Sequence, residues 1–250
     1  MSALFQSVKE NLSFLGVVLL IFLALTAVAV LAERAVGRGR KRQLGSARSI
    51  CVVAMCAALS GLLMLLEIPL FFAPEFYKID LSELPVLFCG FYLGPVAGVI
   101  CELLKVLVKL LLKGTTTAFV GDFANFAVGC ALVLPATILY YATKTKKGAV
   151  AGLVTGTLIM TVFGSGFNAL YLLPKFSQLY GIPMEALVGM GQAVNPAIDS
   201  IGKLVLFAVV PLNILKGTLV SVLTFLLYKR VEHVIFKRVS PVKSAAPKNA

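Results

Sequence analysis

The chain has 250 residues, of which 59% are apolar and only 14% are charged, and its mean hydropathy is +0.96. This balance exceeds that of a soluble core and predicts an integral membrane protein without a large soluble domain. The net charge of +12 does not indicate a nucleic-acid partner, because the basic residues cluster at the ends of apolar runs, where membrane topology places them.

The first apolar run, Leu12–Ala32, is long enough to cross a bilayer as a helix. A cleaved signal peptide is the competing interpretation, since Ala27 and Ala29 have the small size that signal cleavage requires. The run is long for a signal and only Lys9 supplies a basic start, so we predict a retained helix. The basic segment that follows, Glu33–Arg48, indicates the cytoplasmic side and puts the amino terminus outside.

Six more helices are predicted downstream, which makes the fold class an all-α, polytopic membrane helix bundle. Their ranges are Ile50–Leu66, Leu84–Gly94, Val96–Lys113, Phe119–Tyr141, Ala149–Leu173 and Gly202–Tyr228. The second of them is too short to cross a bilayer alone, so we expect it to pair with the third across the Gly94–Pro95 break. The loop before the last helix is expected to hold a short surface helix at Met184–Gly191, and the basic carboxyl-terminal tail is predicted to be cytoplasmic.

A short polar loop, Tyr77–Pro85, separates two apolar segments and follows an aromatic group. Its Ser82 is predicted to cap the next helix through its side chain. Glu83 would then favour the positive end of that helix, and Pro85 would occupy its first turn. The functional interpretation of this loop is a lid over a site, and the alternative is an ordinary polar connector.

Charged residues lie on one face of the helix Val96–Lys113, at Glu102, Lys105, Lys109 and Lys113. Charged groups are costly in lipid, so this face must meet a cavity, another helix or the outer surface. We expect Lys109 and Lys113 to reach the outer interface with their long side chains. Glu102 lies deeper and is a functional candidate.

Polar residues near the outer half of the bundle form the candidate site. They are Glu102, Asn125, Asn168, Asn213 and Lys216. Each could instead serve as a structural hydrogen bond between helices. Taken together, beside the aromatic loop, they indicate a pocket with apolar walls and a few polar groups, which suits a planar, partly polar small molecule.

Catalytic signatures are not found in the sequence. There is no GxxxxGK[ST] segment, so the chain is not expected to hydrolyse ATP itself. Ser165 and the single histidine, His233, lie toward opposite sides of the membrane and cannot form a catalytic pair. The five cysteines fall inside apolar segments without metal-ligand spacing and are expected to be small buried hydrophobes. We therefore predict neither an enzyme nor a bound metal or cofactor.

Four segments identify a family resemblance. They are Tyr77–Pro85, Leu93–Lys105, Gly114–Thr117 and Pro211–Gly217. Together they resemble the riboflavin-specific S component of ECF-type vitamin transporters, the RibU type, over roughly residues 46 to 235. The resemblance implies six helices, capture of riboflavin from outside, and association with a transmembrane coupling protein and two ATPase subunits in a bacterial cell membrane.

The resemblance also implies roles for particular residues. The flavin contacts of the family correspond to Glu102, Asn168, Asn213 and Lys216 of this chain, with Tyr77 and Asp80 of the loop nearby. Ala54 and Ala58 resemble the small-residue motif through which S components meet the coupling protein. The helix Leu12–Ala32 departs from the six-helix pattern and is an extra element.

Three regions are expected on this basis. Residues 1–45 would form the extra helix and its basic loop, residues 46–235 the six-helix riboflavin-binding domain, and residues 236–250 a basic cytoplasmic tail. Two alternatives stay open at this point. The chain could be an S component for another vitamin or for FMN, or a membrane assembly subunit that binds no vitamin.

Overall fold

The computed structural model describes residues 2–36, 45–115, 117 and 119–231, and the side chains in these ranges except those of residues 2–15, 17 and 231. The predicted tail at residues 236–250 and much of the basic loop after the first helix lie outside the described residues. The described part is helical throughout its length apart from short connections, which confirms the all-α bundle.

Ten helices and two short strands follow one another along the described residues. The helices are α1 Ser2–Val36, α2 Ala47–Leu63, α3 Glu83–Leu93, α4 Pro95–Lys113, α5 Val120–Thr143, α6 Lys146–Phe167, α7 Leu173–Tyr180, α8 Met184–Val194, α9 Ile201–Leu204 and α10 Val210–Val231. The strands are β1 Ile68–Pro69 and β2 Lys78–Ile79. Wider π-helical turns at Asn168–Leu172 and Val205–Val209 join α6 to α7 and α9 to α10.

Four stretches of the described residues are long and apolar enough to cross a membrane. They are Val18–Val36, Val120–Thr143, Lys146–Tyr180 and Ile201–Arg230. The helices α2 and α3 are apolar but shorter. The helix α4 has 19 residues and carries four charged side chains, so its place in the bundle depends on what those charges meet.

The short helix α3 lies at the centre of the bundle. Its Val86, Leu87 and Phe91 are almost completely buried and belong to one apolar core with residues of α2, α4, α5, α6 and α10. Gly94 ends α3 with a φ of +110°, a backbone conformation that favours glycine, and Pro95 starts α4. This confirms the predicted pairing of a short and a longer helix across that break.

The extra helix α1 packs against α4 and α5, on the outside of the six-helix core. Ala29 is completely buried there, and the ring of Phe22 lies 6.3 Å from that of Phe126. Other residues of α1, such as Leu20 and Leu31, are 66% and 63% exposed. One face of α1 therefore contacts the protein, and the opposite face is apolar and suited to lipid.

The connection between α2 and α3 contains a small antiparallel ribbon that the sequence did not predict. Strand β1 pairs with β2, with Ile68 opposite Ile79 and Pro69 opposite Lys78. Each strand has only two residues, too few to produce an alternating pattern. The ribbon folds the loop back so that Tyr77 and Asp80 point into the bundle, where both are buried.

Candidate ligand-binding site

Tyr77 attaches the loop to α6. Its hydroxyl donates to Oδ1 of Asn168 at 2.6 Å, and both side chains are buried. Burial raises the pKa of the Tyr77 phenol, although the hydrogen bond to Asn168 acts in the opposite direction, so the group stays neutral and available as a donor. Asn168 opens the π-helical turn after α6, an irregularity that often marks functional positions in helices.

Asp80 attaches the same loop to α10. Nζ of Lys216 lies 3.2 Å from Oδ2 of Asp80 and 2.9 Å from Oε1 of Glu83, the first residue of α3. These three side chains are at most 10% exposed. One ammonium group therefore joins the loop, α3 and α10.

A second buried lysine extends this cluster to α4. Nζ of Lys105 lies 3.2 Å from Oε1 of Glu83 and also pairs with Oε1 of Glu102, one turn earlier on the same helix. Both Lys105 and Glu102 are completely buried. Gly129 of α5 makes room for this arrangement, because a Cβ atom at that position would overlap the Glu102 carboxylate.

These five side chains, Asp80, Glu83, Glu102, Lys105 and Lys216, form what we call the charged cluster. It contains three carboxyl groups and two ammonium groups, all nearly inaccessible to water. Among the described residues, two carboxylate oxygens of the cluster, Glu83 Oε2 and Glu102 Oε2, are buried without a hydrogen-bond partner, as are Asn125 Oδ1 on α5 and Ser165 Oγ on α6. Buried polar atoms of this kind are costly unless they are paired, so the site suits a ligand that carries N–H or O–H donors.

Neighbouring groups stabilise the ionised form of the Asp80 carboxyl group. Burial alone would raise the pKa of its carboxyl group, but Lys216, Lys105 and the backbone N–H of Ser82 together hold that pKa below its usual value. The Ser82 N–H donates to Oδ1 of Asp80 at 2.8 Å. The predicted cap by the Ser82 side chain is wrong, because Ser82 has helical backbone angles and its hydroxyl accepts no capping bond.

Two further ion pairs lie beside the cluster, nearer the loop end of α4. Nζ of Lys109 lies 2.6 Å from Oδ1 of Asp122 and donates to the Gly114 carbonyl at 3.1 Å. The expectation that Lys109 reaches the outer interface is therefore wrong, because Asp122 on α5 holds it inside the protein. Lys113 behaves as predicted, since it stays exposed and pairs with Glu67 at 3.1 Å.

The structure brings most of the predicted site residues together. Tyr77 meets Asn168, Asp80 meets Lys216, and Glu102 reaches the same cluster through Lys105. Asn213 is buried one turn from Lys216 and lies against Gly164 of α6. Asn125 is different: it is only partly buried, and no contact joins it to the cluster within the described residues.

Sequence reasoning missed two members of the cluster. From the sequence alone, Glu83 is expected only to favour the positive end of α3, and Lys105 is one of several charges on one face of α4. The signal that could have found them is the pairing of Lys105 with Glu102 at a three-residue spacing inside an apolar helix, since such a lysine needs an additional acid nearby. Lys216 pairs with Asp80 and Glu83.

Ala54 and Ala58 lie on the surface of α2, on a face with large exposed apolar side chains. Both alanines are exposed, as are Met55 and Leu59, at 62% and 52%. Gly61, which follows them in sequence, faces the other way and packs on Val108 of α4. The alanine pair is therefore available to another helix.

Comparison with known proteins gives three consistent matches. A family model described as "ECF transporter, substrate-specific component" matches residues 48–228. The riboflavin transporter RibU of Staphylococcus aureus (strain TCH60) is 28% identical over 192 residues, which are 77% of this chain and 94% of that protein. The riboflavin transporter FmnP of Bacillus subtilis (strain 168) is 28% identical over 186 residues, 74% of this chain and 92% of that protein.

A solved structure is similar to this fold. It is described as "Structure and mechanism of the S component of a bacterial ECF transporter", and it superposes with a TM-score of 0.57 at 30% sequence identity. The match covers 74% of this chain and 95% of the other. The family match begins at residue 48, so α1 precedes it.

Proposed function

The chain belongs to the ECF transporter substrate-specific component family, and we propose that it captures riboflavin at the outer face of a bacterial cell membrane and delivers it inward. The family is one of transport components, and the relatives reported above are named riboflavin transporters. The observation that carries the proposal for this chain is the charged cluster, which joins the loop between α2 and α3 to α4 and α10.

The chemistry of riboflavin is complementary to this cluster. Its ring system has apolar faces and an edge that alternates hydrogen-bond donors and acceptors, and its ribityl chain carries hydroxyl groups. Ammonium groups donate to carbonyl and hydroxyl oxygens, ionised carboxylates accept, and an asparagine side chain does both. Oε2 of Glu83 and Oε2 of Glu102 would accept from the ligand, and Phe76 and Tyr77, whose rings are 4.5 Å apart, can cover the ring.

We assign the ligand contacts to Glu102, Asn168, Asn213 and Lys216, with Tyr77 and Asp80 as the loop residues that close over the ligand. Glu83 and Lys105 are positioning residues, because they hold Lys216 and Glu102 in place. Asn125 on α5 is proposed as an outer contact to the ligand, because its buried Oδ1 accepts no hydrogen bond from the described residues. No cofactor is needed for binding.

The same proposal includes partners. Transport would require a transmembrane coupling protein and two ATPase subunits, since the chain has no nucleotide-binding segment of its own. The surface of α2 around Ala54 and Ala58 would meet the coupling protein, because small residues let a second helix approach closely. Riboflavin binding would belong to residues 46–235, and residues 1–45 and 236–250 would flank it as an extra helix with its basic loop and a cytoplasmic tail.

Riboflavin titration of the purified chain in detergent tests the proposal. Binding should quench flavin fluorescence with a saturable, one-to-one stoichiometry, without added metal, nucleotide or partner. FMN and lumichrome as competitors would separate recognition of the ribityl chain from recognition of the ring. Absence of saturable binding in protein that melts cooperatively would refute the function.

A further inference from the structure

A cavity lies at the other end of the bundle from the charged cluster. It is a groove of about 220 Å³ between the ends of α3, α5, α6 and α10. Besides Phe225, three aromatic residues line it: Phe91, Tyr140 and Tyr228. Their rings hold one another in place: Phe91 stacks on Tyr140 at 4.4 Å and meets Tyr228 edge-on at 5.2 Å. The groove therefore has a rigid aromatic wall.

Two lysines give this groove a positive charge. Lys146, the first residue of α6, and Lys229, near the end of α10, both line it and are both exposed. The lining residues include no aspartate or glutamate. The groove is therefore complementary to an anion. Tyr140 and Tyr228, whose hydroxyl oxygens are 3.4 Å apart, add neutral polar groups to the same wall.

One side of the groove is apolar and open. Phe225 and Leu226 of α10 line it and are 43% and 60% exposed. They lie in Ile201–Arg230, one of the stretches apolar enough to cross a membrane. A molecule in the groove would thus touch lysines at one end and a membrane-facing apolar surface at the other.

This groove is not part of the proposed riboflavin site. Lys216 of the charged cluster and Lys229 of the groove are on the same helix, α10, and a helix rises 1.5 Å per residue, which separates them by roughly 20 Å along the axis. The two sites also use opposite ends of α6, since Lys146 starts that helix and Asn168 follows its end. A ligand in the groove would leave the cluster untouched.

We propose that this groove binds the headgroup of an anionic phospholipid. The phosphate would sit between Lys146 and Lys229, and the first part of an acyl chain would lie along Phe225 and Leu226. Two ammonium groups next to an apolar, membrane-facing surface favour a lipid over a free phosphate. A free phosphate would make no favourable contact with the apolar side. The inference does not depend on which vitamin the chain carries.

The sequence provides a clean way to test this, because the chain contains no tryptophan. Phe225→Trp in the full chain places one fluorophore in the groove. The protein is reconstituted into phosphatidylcholine bilayers, and lipids with brominated chains, which quench tryptophan on contact, are added with either a phosphatidylglycerol or a phosphatidylcholine headgroup. We expect brominated phosphatidylglycerol to quench at a several-fold lower mole fraction than brominated phosphatidylcholine.

Two double variants remove the same amount of charge. One changes residues that line the groove, and the other changes neighbouring residues that do not. Lys146→Gln with Lys229→Gln should abolish the several-fold preference for phosphatidylglycerol, since each surface lysine favours an anionic lipid by a factor of several. Lys147→Gln with Arg230→Gln changes the neighbouring residues, which do not line the groove, and should keep the preference. Thermal melting of each variant confirms that it is folded.

Three outcomes would overturn the proposal. Equal quenching by the two brominated lipids would show that the groove does not prefer an anionic headgroup. Equal loss of preference in the two double variants would show only a general attraction of the basic end for anionic membranes. Displacement of the lipid signal by inorganic phosphate, but not by chloride at equal ionic strength, would assign the groove to a soluble phosphate instead. A preference for phosphatidylglycerol that depends on Lys146 and Lys229 and resists phosphate supports it.

Discussion

Lys216 of α10 and Asp80 of the loop between α2 and α3, which are 136 residues apart in sequence, are joined by an ion pair of 3.2 Å between Nζ and Oδ2. Glu83 shares the same ammonium group at 2.9 Å. Because all three groups are removed from water, the ion pair acts both as a structural tie and as part of the proposed ligand site. The predictions below separate these two roles.

Lys216→Met keeps the apolar stem and removes the charge. It would leave Asp80 and Glu83 buried with less compensation, which costs about 3–5 kcal/mol of stability. Adding Asp80→Asn should recover part of this loss, with a coupling energy of about 1–3 kcal/mol between the two sites. Thermal unfolding of the ligand-free single and double variants measures the coupling, and additive losses would contradict a direct tie.

Asn213→Leu tests the ligand site with little structural cost. Asn213 is buried against Gly164, and leucine is similar in size, so the melting temperature of the ligand-free protein should hardly change. Riboflavin affinity should fall about five- to tenfold, the effect of losing roughly 1 kcal/mol of hydrogen bonding. A variant that binds as tightly as the original chain would remove Asn213 from the site.

Acidification should weaken the attachment of the loop through Asp80. Its pKa is held below the usual value in the folded protein, so its ionised form stabilises the fold above the unfolded pKa of about 3.9, and this contribution is lost as the pH falls below that value. The difference in melting temperature between the original chain and Asp80→Asn should therefore shrink toward low pH.

An exposed acid provides the control for this pH effect. Asp199 also has a lowered pKa, chiefly through its hydrogen bond with Lys203, but it is fully exposed. Asp199→Asn should follow the original chain at every pH. A constant gap between the original chain and Asp80→Asn across the titration would show that the Asp80 charge does not contribute in the expected range.

Ala58→Trp tests the proposed docking surface on α2. A large side chain at this exposed position should prevent close approach of another helix. We expect the variant to bind riboflavin normally but to lose co-purification with the coupling protein and to lose uptake. Val162→Trp is the control, because Val162 is 75% exposed on α6, away from α2, and should keep both. Normal assembly of Ala58→Trp would place the docking surface elsewhere.

The orientation of the chain is predicted from its basic loops. The amino terminus should lie outside and the carboxyl terminus inside, because the segment Glu33–Arg48 is strongly basic. A reporter that is active only in the cytoplasm should be inactive when fused before residue 2 and active when fused after residue 250. Activity at both ends would mean that α1 does not cross the membrane.

Much of the helix pattern was accessible from the sequence. The break at Gly94 and Pro95, the shortness of α3 and the surface helix at Met184 follow from glycine and proline chemistry and from the length of apolar runs. Helix ends differ by a few residues, as with α6, which starts at Lys146 because Thr145 caps it by accepting from the Gly148 N–H at 3.0 Å.

The pairing of acids with lysines in the site could not be predicted from the sequence in the same way. The sequence predicts that Glu102, Asn125, Asn168, Asn213 and Lys216 lie in one half of the bundle. In the structure Lys216 and Glu102 share the charged cluster, and Asn213 lies one turn from Lys216. The sequence could not show which acid meets which lysine, because the partners come from helices far apart in the chain. Lys109 is the clearest case: its partner, Asp122, is on α5, and no periodicity within α4 reveals it.

The order in which the members of the charged cluster are synthesised has a consequence for the growing chain. Until α10 is made, Asp80, Glu83 and Glu102 have only Lys105 to balance them in this part of the molecule, and Lys216 arrives with the last long helix. A nascent chain that stops before residue 216 would leave these three carboxyl groups with one ammonium group in place of two, and buried carboxylates without partners are costly. Completion of α10 thus supplies the second ammonium group that compensates the buried carboxyl groups. Truncated products should be targets for membrane proteases.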